Sequence, residues 1–191
     1  MSYNAVIKSD DSQAIPKLKE NIESVQSRID YMQGVNDYYK ANGTMRGYPG
    51  MDEQTVEKLD ARVSDKQETP YPGKFFSDNF ANIRRLERNV ERLTNNPESI
   101  FQGWQFNGGE AVVNLANNRL QLMFNEKPSD GRRAILKMHG FKWAPTAKAW
   151  QRKLDPASFK AADKISFAKP LDGKMPSQLQ PKMPQKNLPE R

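Results

Sequence analysis

The stretch FQGWQFNGGEAVVNLANNRLQLMFN (residues 101–125) decides the fold, because it alternates and turns like a series of β-strands. Trp104 and Phe106 precede the turn NGG at 107–109, whose residue types tolerate positive φ. A second turn signal, NN at 117–118, leads into another alternating segment. The sequence therefore predicts three short strands joined by two hairpin turns.

A helix and a further hairpin are predicted after these strands. Ser129 or Asp130 is suited to cap a helix that ends at the pair HG, residues 139–140. The segments FKW (141–143) and AWQR (149–152) then flank a proline-containing turn, and residues 156–167 are compatible with a last helix. We therefore expect a small basic β-β-β-α-β-β module with a trailing helix over residues 101–167.

The N-terminal half, residues 1–98, has helical rather than strand periodicity. Six apolar residues recur with heptad spacing: Ile15, Leu18, Ile22, Val25, Ile29 and Met32. We expect helices over about residues 12–42, 52–64 and 77–95. The apolar stripes of the first and third helices must be covered, either by each other or by a second copy of the chain. The sequence leaves a homodimer through this helical region open.

These patterns together predict an α+β protein. Its N-terminal region is a helical hairpin or is coiled-coil-like, and the small β-β-β-α-β-β module follows. Residues 168–191 are expected to form a disordered tail, because residues 169–191 contain five prolines and several lysines.

Charge is concentrated in the C-terminal half of the chain. Residues 1–100 carry 14 Lys and Arg against 16 Asp and Glu, whereas residues 101–168 carry 11 against 5. This asymmetry suits a phosphate-bearing partner, although a solubilising surface has the same composition. The chain contains no cysteine, its opening residues lack the apolar run of a signal peptide, and no apolar run is long enough for a membrane span. We therefore expect a cytoplasmic protein that has no membrane partner.

The sequence offers no recognisable catalytic or cofactor motif. The single histidine, His139, stands where a helix is predicted to end and has no second histidine to share a metal. Walker-type loops and the patterns GxSxG and HExxH do not occur. We therefore expect a non-enzymatic protein without a cofactor or a metal site, and an enzyme of unfamiliar type is a third hypothesis.

The second hairpin carries the predicted ligand-binding site. Trp143 and Trp150 form a small core in one interpretation, and in the other they form a stacking platform for bases beside basic side chains. The basic residues of the hairpin are Lys142, Lys148, Arg152 and Lys153. Arg132 and Arg133, at the start of the preceding helix, are expected to add phosphate contacts near its positive end.

The same part of the chain resembles a known module. The patterns that carry the resemblance are Gly-Trp-x-Phe-x-Gly-Gly (103–109), Asn-Arg-Leu-Gln (118–121), Glu-Lys-Pro (126–128) and Gly-Phe-x-Trp-x-Pro with Ala-Trp-Gln-Arg (140–152). They resemble a module of phage and conjugative-element proteins that is associated with large polyvalent and antirestriction-like proteins of unassigned activity. The resemblance extends over about residues 15–165 and implies a mobile-element setting, but it carries no catalytic residues.

Two functional hypotheses from different classes follow. In the first, a phage or mobile-element protein binds a phosphate-bearing ligand in counter-defence. That ligand is nucleic acid, or a nucleotide immune messenger of the host that the protein sequesters. In the alternative, the protein is a protein–protein inhibitor that docks on a host defence protein. The heptad helix then supplies dimerisation or a partner groove, and the basic surface mimics or meets an acidic one.

Overall fold

The computed structural model describes residues 6–181, which form five α-helices and five β-strands. The helices are α1 (Ala14–Asn42), α2 (Glu53–Asp60), α3 (Gly73–Asn95), α4 (Asp130–Met138) and α5 (Pro156–Ala162). The strands are β1 (Trp104–Phe106), β2 (Gly109–Asn114), β3 (Arg119–Phe124), β4 (Lys142–Ala144) and β5 (Ala149–Lys153). The chain divides into two compact units. We call residues 19–88 the helical unit and the described residues on either side of that range the sheet unit.

The helical unit is held together by the apolar stripe of α1. Val25, Ile29 and Met32 of α1 are buried in one cluster with Ile83 of α3. A second cluster buries Val35 of α1 with residues of α2 and of the loop before it. The predicted apolar stripes of the first and third helices therefore pack against each other within one chain.

The bounds of the helices differ from the predicted ranges at several ends. Helix α3 begins at Gly73 instead of residue 77, because the backbone N–H of Phe75 already donates to the carbonyl of Pro72 (2.9 Å). Pro72 precedes the helix, where its missing N–H has no helical partner to lose. Helix α2 ends at Asp60 instead of residue 64, where the chain tightens into i to i−3 hydrogen bonds. Helix α1 begins at Ala14 and not at residue 12.

The five strands form one antiparallel sheet with the order β1-β2-β3-β5-β4. The predicted α+β class and the β-β-β-α-β-β order along the chain are confirmed. Strand β4 lies at an edge of the sheet, and β5 lies between it and β3. The chain therefore runs from β3 through α4 to the edge before it returns to the interior of the sheet.

One row of residues in register crosses the whole sheet. Its members are Trp104, Ala111, Leu122, Trp150 and Trp143, one from each strand in sheet order. Residues directly opposite each other on paired strands share a face, so these five side chains lie on the same face. The ring of Trp104 lies 6.2 Å from that of Phe159 in α5, between ring centroids. The Trp104 end of this row therefore packs against α5.

The opposite face of the sheet contains a row of hydrogen-bonded amides. The side chain of Asn114 donates to Gln121 (3.2 Å), and the side chain of Gln121 donates to Gln151 (3.1 Å). Asn114 and Gln121 have no solvent-exposed surface, so these bonds satisfy polar groups that water does not reach. The network ties β2, β3 and β5 together.

The C-terminal segment departs from the predicted tail. Residues 168–181 belong to the sheet unit: the indole of Trp104 donates to the carbonyl of Ala168 (2.7 Å), and Ser177 donates to Asp163. Pro176 is buried at the start of a short 3-10 helix, Pro176–Leu179. Proline suits such a segment because it needs no ladder hydrogen bond and loses little entropy on burial. The remaining part of the predicted tail, residues 182–191, lies outside the described residues.

The helix predicted over residues 156–167 is shorter in the structure. Helix α5 ends at Ala162, and a separate 3-10 helix, Ser166–Ala168, follows it. Asp155 caps α5 by accepting from the backbone N–H of Ser158 (2.8 Å). In the described part of the chain, no helix has both the length and the apolar composition required to cross a membrane.

Candidate ligand-binding site

The two tryptophans of the β4–β5 hairpin form a cross-strand pair with unequal exposure. Trp143 lies opposite Trp150, and their ring centroids are 5.9 Å apart at an interplanar angle of 54°. Trp150 is 3% exposed, whereas Trp143 is 48% exposed. Each of the two interpretations of the sequence therefore fits one tryptophan: Trp150 belongs to the core, and Trp143 presents a wide aromatic surface to solvent.

A cavity of about 690 Å³ opens beside this pair. Its aromatic lining consists of Phe124 at the end of β3 together with Trp143 and Trp150. The loop after β3, helix α4 and the turn of the β4–β5 hairpin supply the rest of the lining. Small-molecule sites in proteins usually have volumes of about 300–1,000 Å³ and are mostly apolar, with a few placed polar groups. The size and lining of this cavity match that description.

Basic side chains dominate the polar part of the lining. Lys127, Arg133, Lys137 and Lys148 line the cavity, against a single carboxylate, Glu126. The three lysines are exposed, and within residues 6–181 none of them forms a salt bridge. Three ammonium groups without an acidic partner raise the electrostatic potential in the cavity and favour an anion there.

Arg133 has a different role from the three lysines. Its guanidinium donates to the carbonyl of Pro128 (2.9 Å) and pairs with Asp130. These bonds fix the loop after β3 to the first turn of α4, which Ser129 caps. Lys137 follows Arg133 by four residues and therefore lies on the same side of the helix. These contacts thus fix the side of α4 that faces the cavity, and Lys137 extends from that side.

Four of the eight residues predicted from the sequence line the cavity, namely Trp143, Trp150, Lys148 and Arg133. Lys142 and Lys153 do not, because they lie in register with Gln151 and Arg119, on the face of the sheet opposite the tryptophans. Neighbouring residues of a strand point to opposite faces, so a basic residue next to a tryptophan in sequence lies away from it in space.

The other two predicted residues make contacts inside the protein. Arg152 shares the face of Trp150, but its guanidinium donates to the carbonyl of His139 (2.5 Å) at the end of α4. Arg132 lies over the ring of Phe167, 5.1 Å from the ring centroid. Both arginines are therefore engaged by contacts that hold the fold, and His139 is the C-terminal cap residue of α4.

The sequence analysis missed several lining residues, and two signals could have found most of them. Phe124 continues the alternation of Leu120 and Leu122, so it lies on the tryptophan face. Lys137 follows Arg133 at helical spacing, which places it beside that residue. Among the described residues, no cluster of three or more His, Asp or Glu side chains is arranged to hold a metal ion.

Comparison with known proteins gives one partial match. Residues 122–168 are similar to a family described as a domain of unknown function (DUF8626). This range covers less than half of the chain, but it contains every residue that lines the cavity. No curated protein and no solved structure matches the chain. The matched segment runs from β3 through α4, the β4–β5 hairpin and α5 to Ala168.

Proposed function

We propose that this protein is a non-enzymatic binder of a phosphate-bearing ligand, nucleic acid or nucleotide, which it holds in the cavity beside Trp143. The observation that carries the proposal is the group of three lysines around that cavity, Lys127, Lys137 and Lys148, which have no acidic partner in the described part of the chain. Phosphate oxygens accept hydrogen bonds from ammonium groups and neutralise the repulsion among them.

The exposed indole supports a ligand that has an aromatic part. Trp143 is 48% exposed and lines the cavity, so its ring is accessible to a ligand there. Aromatic side chains beside basic groups are the combination with which proteins stack bases and hold their phosphates. A ligand with both a base and a phosphate therefore matches the two kinds of surface in the cavity.

We also propose a setting for this activity, on the strength of the resemblance over about residues 15–165. A phage or mobile-element protein that works in counter-defence would bind nucleic acid, or would sequester a nucleotide messenger of the host. The alternative is an inhibitor that docks on a host defence protein, in which the heptad stripe supplies dimerisation or a partner groove and the basic surface mimics or meets an acidic one. Val25, Ile29 and Met32 of that stripe are buried inside the helical unit, and for this reason we favour ligand binding.

The proposal is tested by removing the three charges. The full-length variant with Lys127→Gln, Lys137→Gln and Lys148→Asn is compared with a control that loses the same charge outside the cavity. Lys160→Gln, Lys164→Gln and Lys169→Gln provide this control, since none of these residues lines the cavity. Calorimetric titration with nucleotides and with a short single-stranded RNA measures binding. We expect the cavity variant to lose at least tenfold in affinity and the control to retain it.

A ligand carried through purification gives a second line of test. Mass spectrometry and ultraviolet absorbance of the heat-denatured protein identify a released nucleotide or oligonucleotide. Release from the parent protein and not from the cavity variant supports the proposal. Equal affinity of parent and cavity variant for every probe refutes it.

A further inference from the structure

Resting on the proposed function, we infer that the cavity takes one nucleotide unit at a time, with the base stacked on Trp143 and the phosphate held by Lys127, Lys137 and Lys148. The cavity is therefore not expected to bind a continuous nucleic-acid strand. Three features of the sheet unit support it: the number of exposed aromatic side chains, the size of the cavity, and the backbone conformation of Lys148.

Trp143 is the only exposed aromatic side chain in the described part of the sheet unit. On the same face, Trp104, Phe106 and Trp150 are buried, and Phe124, which lines the cavity, is half-buried. Proteins that bind single strands stack successive bases on several aromatic side chains along a groove that follows the backbone. One widely exposed indole, with the half-buried ring of Phe124 in the same cavity, provides a place for one base.

The cavity has room for a ligand of nucleotide size. Its volume is about 690 Å³, within the range of sites that enclose a small molecule. The buried ring of Trp150 lies in its apolar lining, and Lys127, Lys137 and Lys148 reach it from the β3–α4 loop, helix α4 and the hairpin turn. The cations thus approach one volume from three elements, which suits a compact phosphate group better than an extended backbone.

Lys148 has a backbone conformation that lysine rarely adopts. Two non-glycine residues among those described have positive φ: Asn118 (φ 53°) and Lys148 (φ 48°). Both are the fourth residue of a four-residue hairpin turn, between the strand-end pairs Asn114–Arg119 and Ala144–Ala149. Asparagine is a favoured residue for this conformation and lysine is not.

The two turns have the same positive-φ position but place different residue types there. In the β2–β3 turn the residue with positive φ is Asn118, a type that adopts this conformation readily. In the β4–β5 turn it is Lys148, a type for which the conformation is strained. Strain of this kind is concentrated at ligand-binding positions, where the side chain is used. The side chain of Lys148 lines the cavity, and its N–H donates to the carbonyl of Pro145 (3.2 Å), which closes the turn. We therefore assign Lys148 to the phosphate end of the ligand.

The experiment titrates the full-length protein with single nucleotides and with a strand. The probes are ribonucleoside 5′-monophosphates and 5′-triphosphates, dinucleotides, and an RNA octamer of mixed sequence. We expect at least one nucleotide to bind with one-to-one stoichiometry and to quench tryptophan fluorescence. Trp143→Ser and Lys148→Asn should each weaken that binding about tenfold or more, as expected for loss of a stacked base or a charged contact.

Controls distinguish the loss of a contact from the loss of the fold. Trp143→Phe keeps an aromatic surface and should restore part of the affinity lost in Trp143→Ser. Asn118→Lys places a lysine in the equivalent strained position of the other turn and should leave nucleotide affinity unchanged. Lys148→Asn should bind less tightly although its thermal stability is equal to or above that of the parent.

Two outcomes overturn the inference, and they differ in their effect on the proposed function. If the octamer binds with an affinity that falls steeply with salt and no nucleotide binds or competes, the ligand is a strand, and only the inference fails. If neither nucleotides nor the octamer bind at millimolar concentration, the inference and the proposed function both fail.

Discussion

Replacing Lys148 by asparagine should stabilise the protein, because it relieves a backbone conformation that is unfavourable for lysine. Lys148 has φ 48°, and left-handed conformations cost L-residues roughly 1–2 kcal/mol, with asparagine among the residues that adopt them most readily. We expect Lys148→Asn to raise the free energy of unfolding by about 0.5–1 kcal/mol, part of that cost. For a chain of this length, such a change raises Tm by about 1–4 °C.

The assay is thermal denaturation followed by circular dichroism, with the reciprocal variant as its control. Asn118→Lys introduces lysine at φ 53° in the same turn position and should lower Tm by a similar amount. The side chain of Asn118 makes no side-chain hydrogen bond in the described part of the chain, so this control changes mainly the backbone preference. A lower Tm for Lys148→Asn, or a higher one for Asn118→Lys, would refute the argument from backbone strain.

Three further predictions concern parts of the fold outside the cavity lining. Gln121→Ala should destabilise the protein by about 1–3 kcal/mol in urea denaturation, because it leaves the buried amide of Asn114 and the half-buried amide of Gln151 without their partner. The exposed Gln105→Ala is the control and should change stability little. Arg152→Gln should lower the free energy of unfolding by about 1–2 kcal/mol, because it removes the hydrogen bond from the guanidinium to the carbonyl of His139. A variant with weaker ligand binding but unchanged stability would contradict this structural role of Arg152. The backbone N–H of Thr55 donates to the carboxylate of Asp52 and holds the pKa of Asp52 below its ordinary value of 3.8. The ionised Asp52 therefore stabilises the fold at pH values above 3.8, and this stabilisation is lost as the pH falls through the lowered pKa. The Tm of Asp52→Asn, compared with that of the parent across this pH range, should therefore fall less steeply on acidification.

Local sequence signals predicted the elements of the sheet unit, but they did not predict the order of its strands. The alternation of Leu120 and Leu122 and the turn residues Gly108 and Asn118 define strands and turns through contacts between near neighbours in sequence. Strand order depends instead on how the chain returns after α4. Here β5 pairs with β3 and leaves β4 at the edge, a choice made by packing over long distances in sequence.

The candidate site was predictable only in part for the same reason. Trp143 and Trp150 have the same residue type, belong to one hairpin and share one face, so periodicity could not say which of them is exposed. Arg152 illustrates a second limit: its spacing from Trp150 places it on the correct face, but the end of α4 lies there and takes up its guanidinium. The face of the sheet on which a side chain lies follows from its position along the strand, whereas its contact partner depends on the tertiary fold.

The edge position of β4 connects the topology to the proposed site. Trp150 has a paired strand on each side, with Leu122 and Trp143 as its neighbours in the row, and it is buried. Trp143 has a paired strand on one side only, and it is 48% exposed next to the cavity. The crossover through α4 therefore exposes one indole and brings Lys137 and Lys148 to the same cavity, which is why we place the function of the protein there.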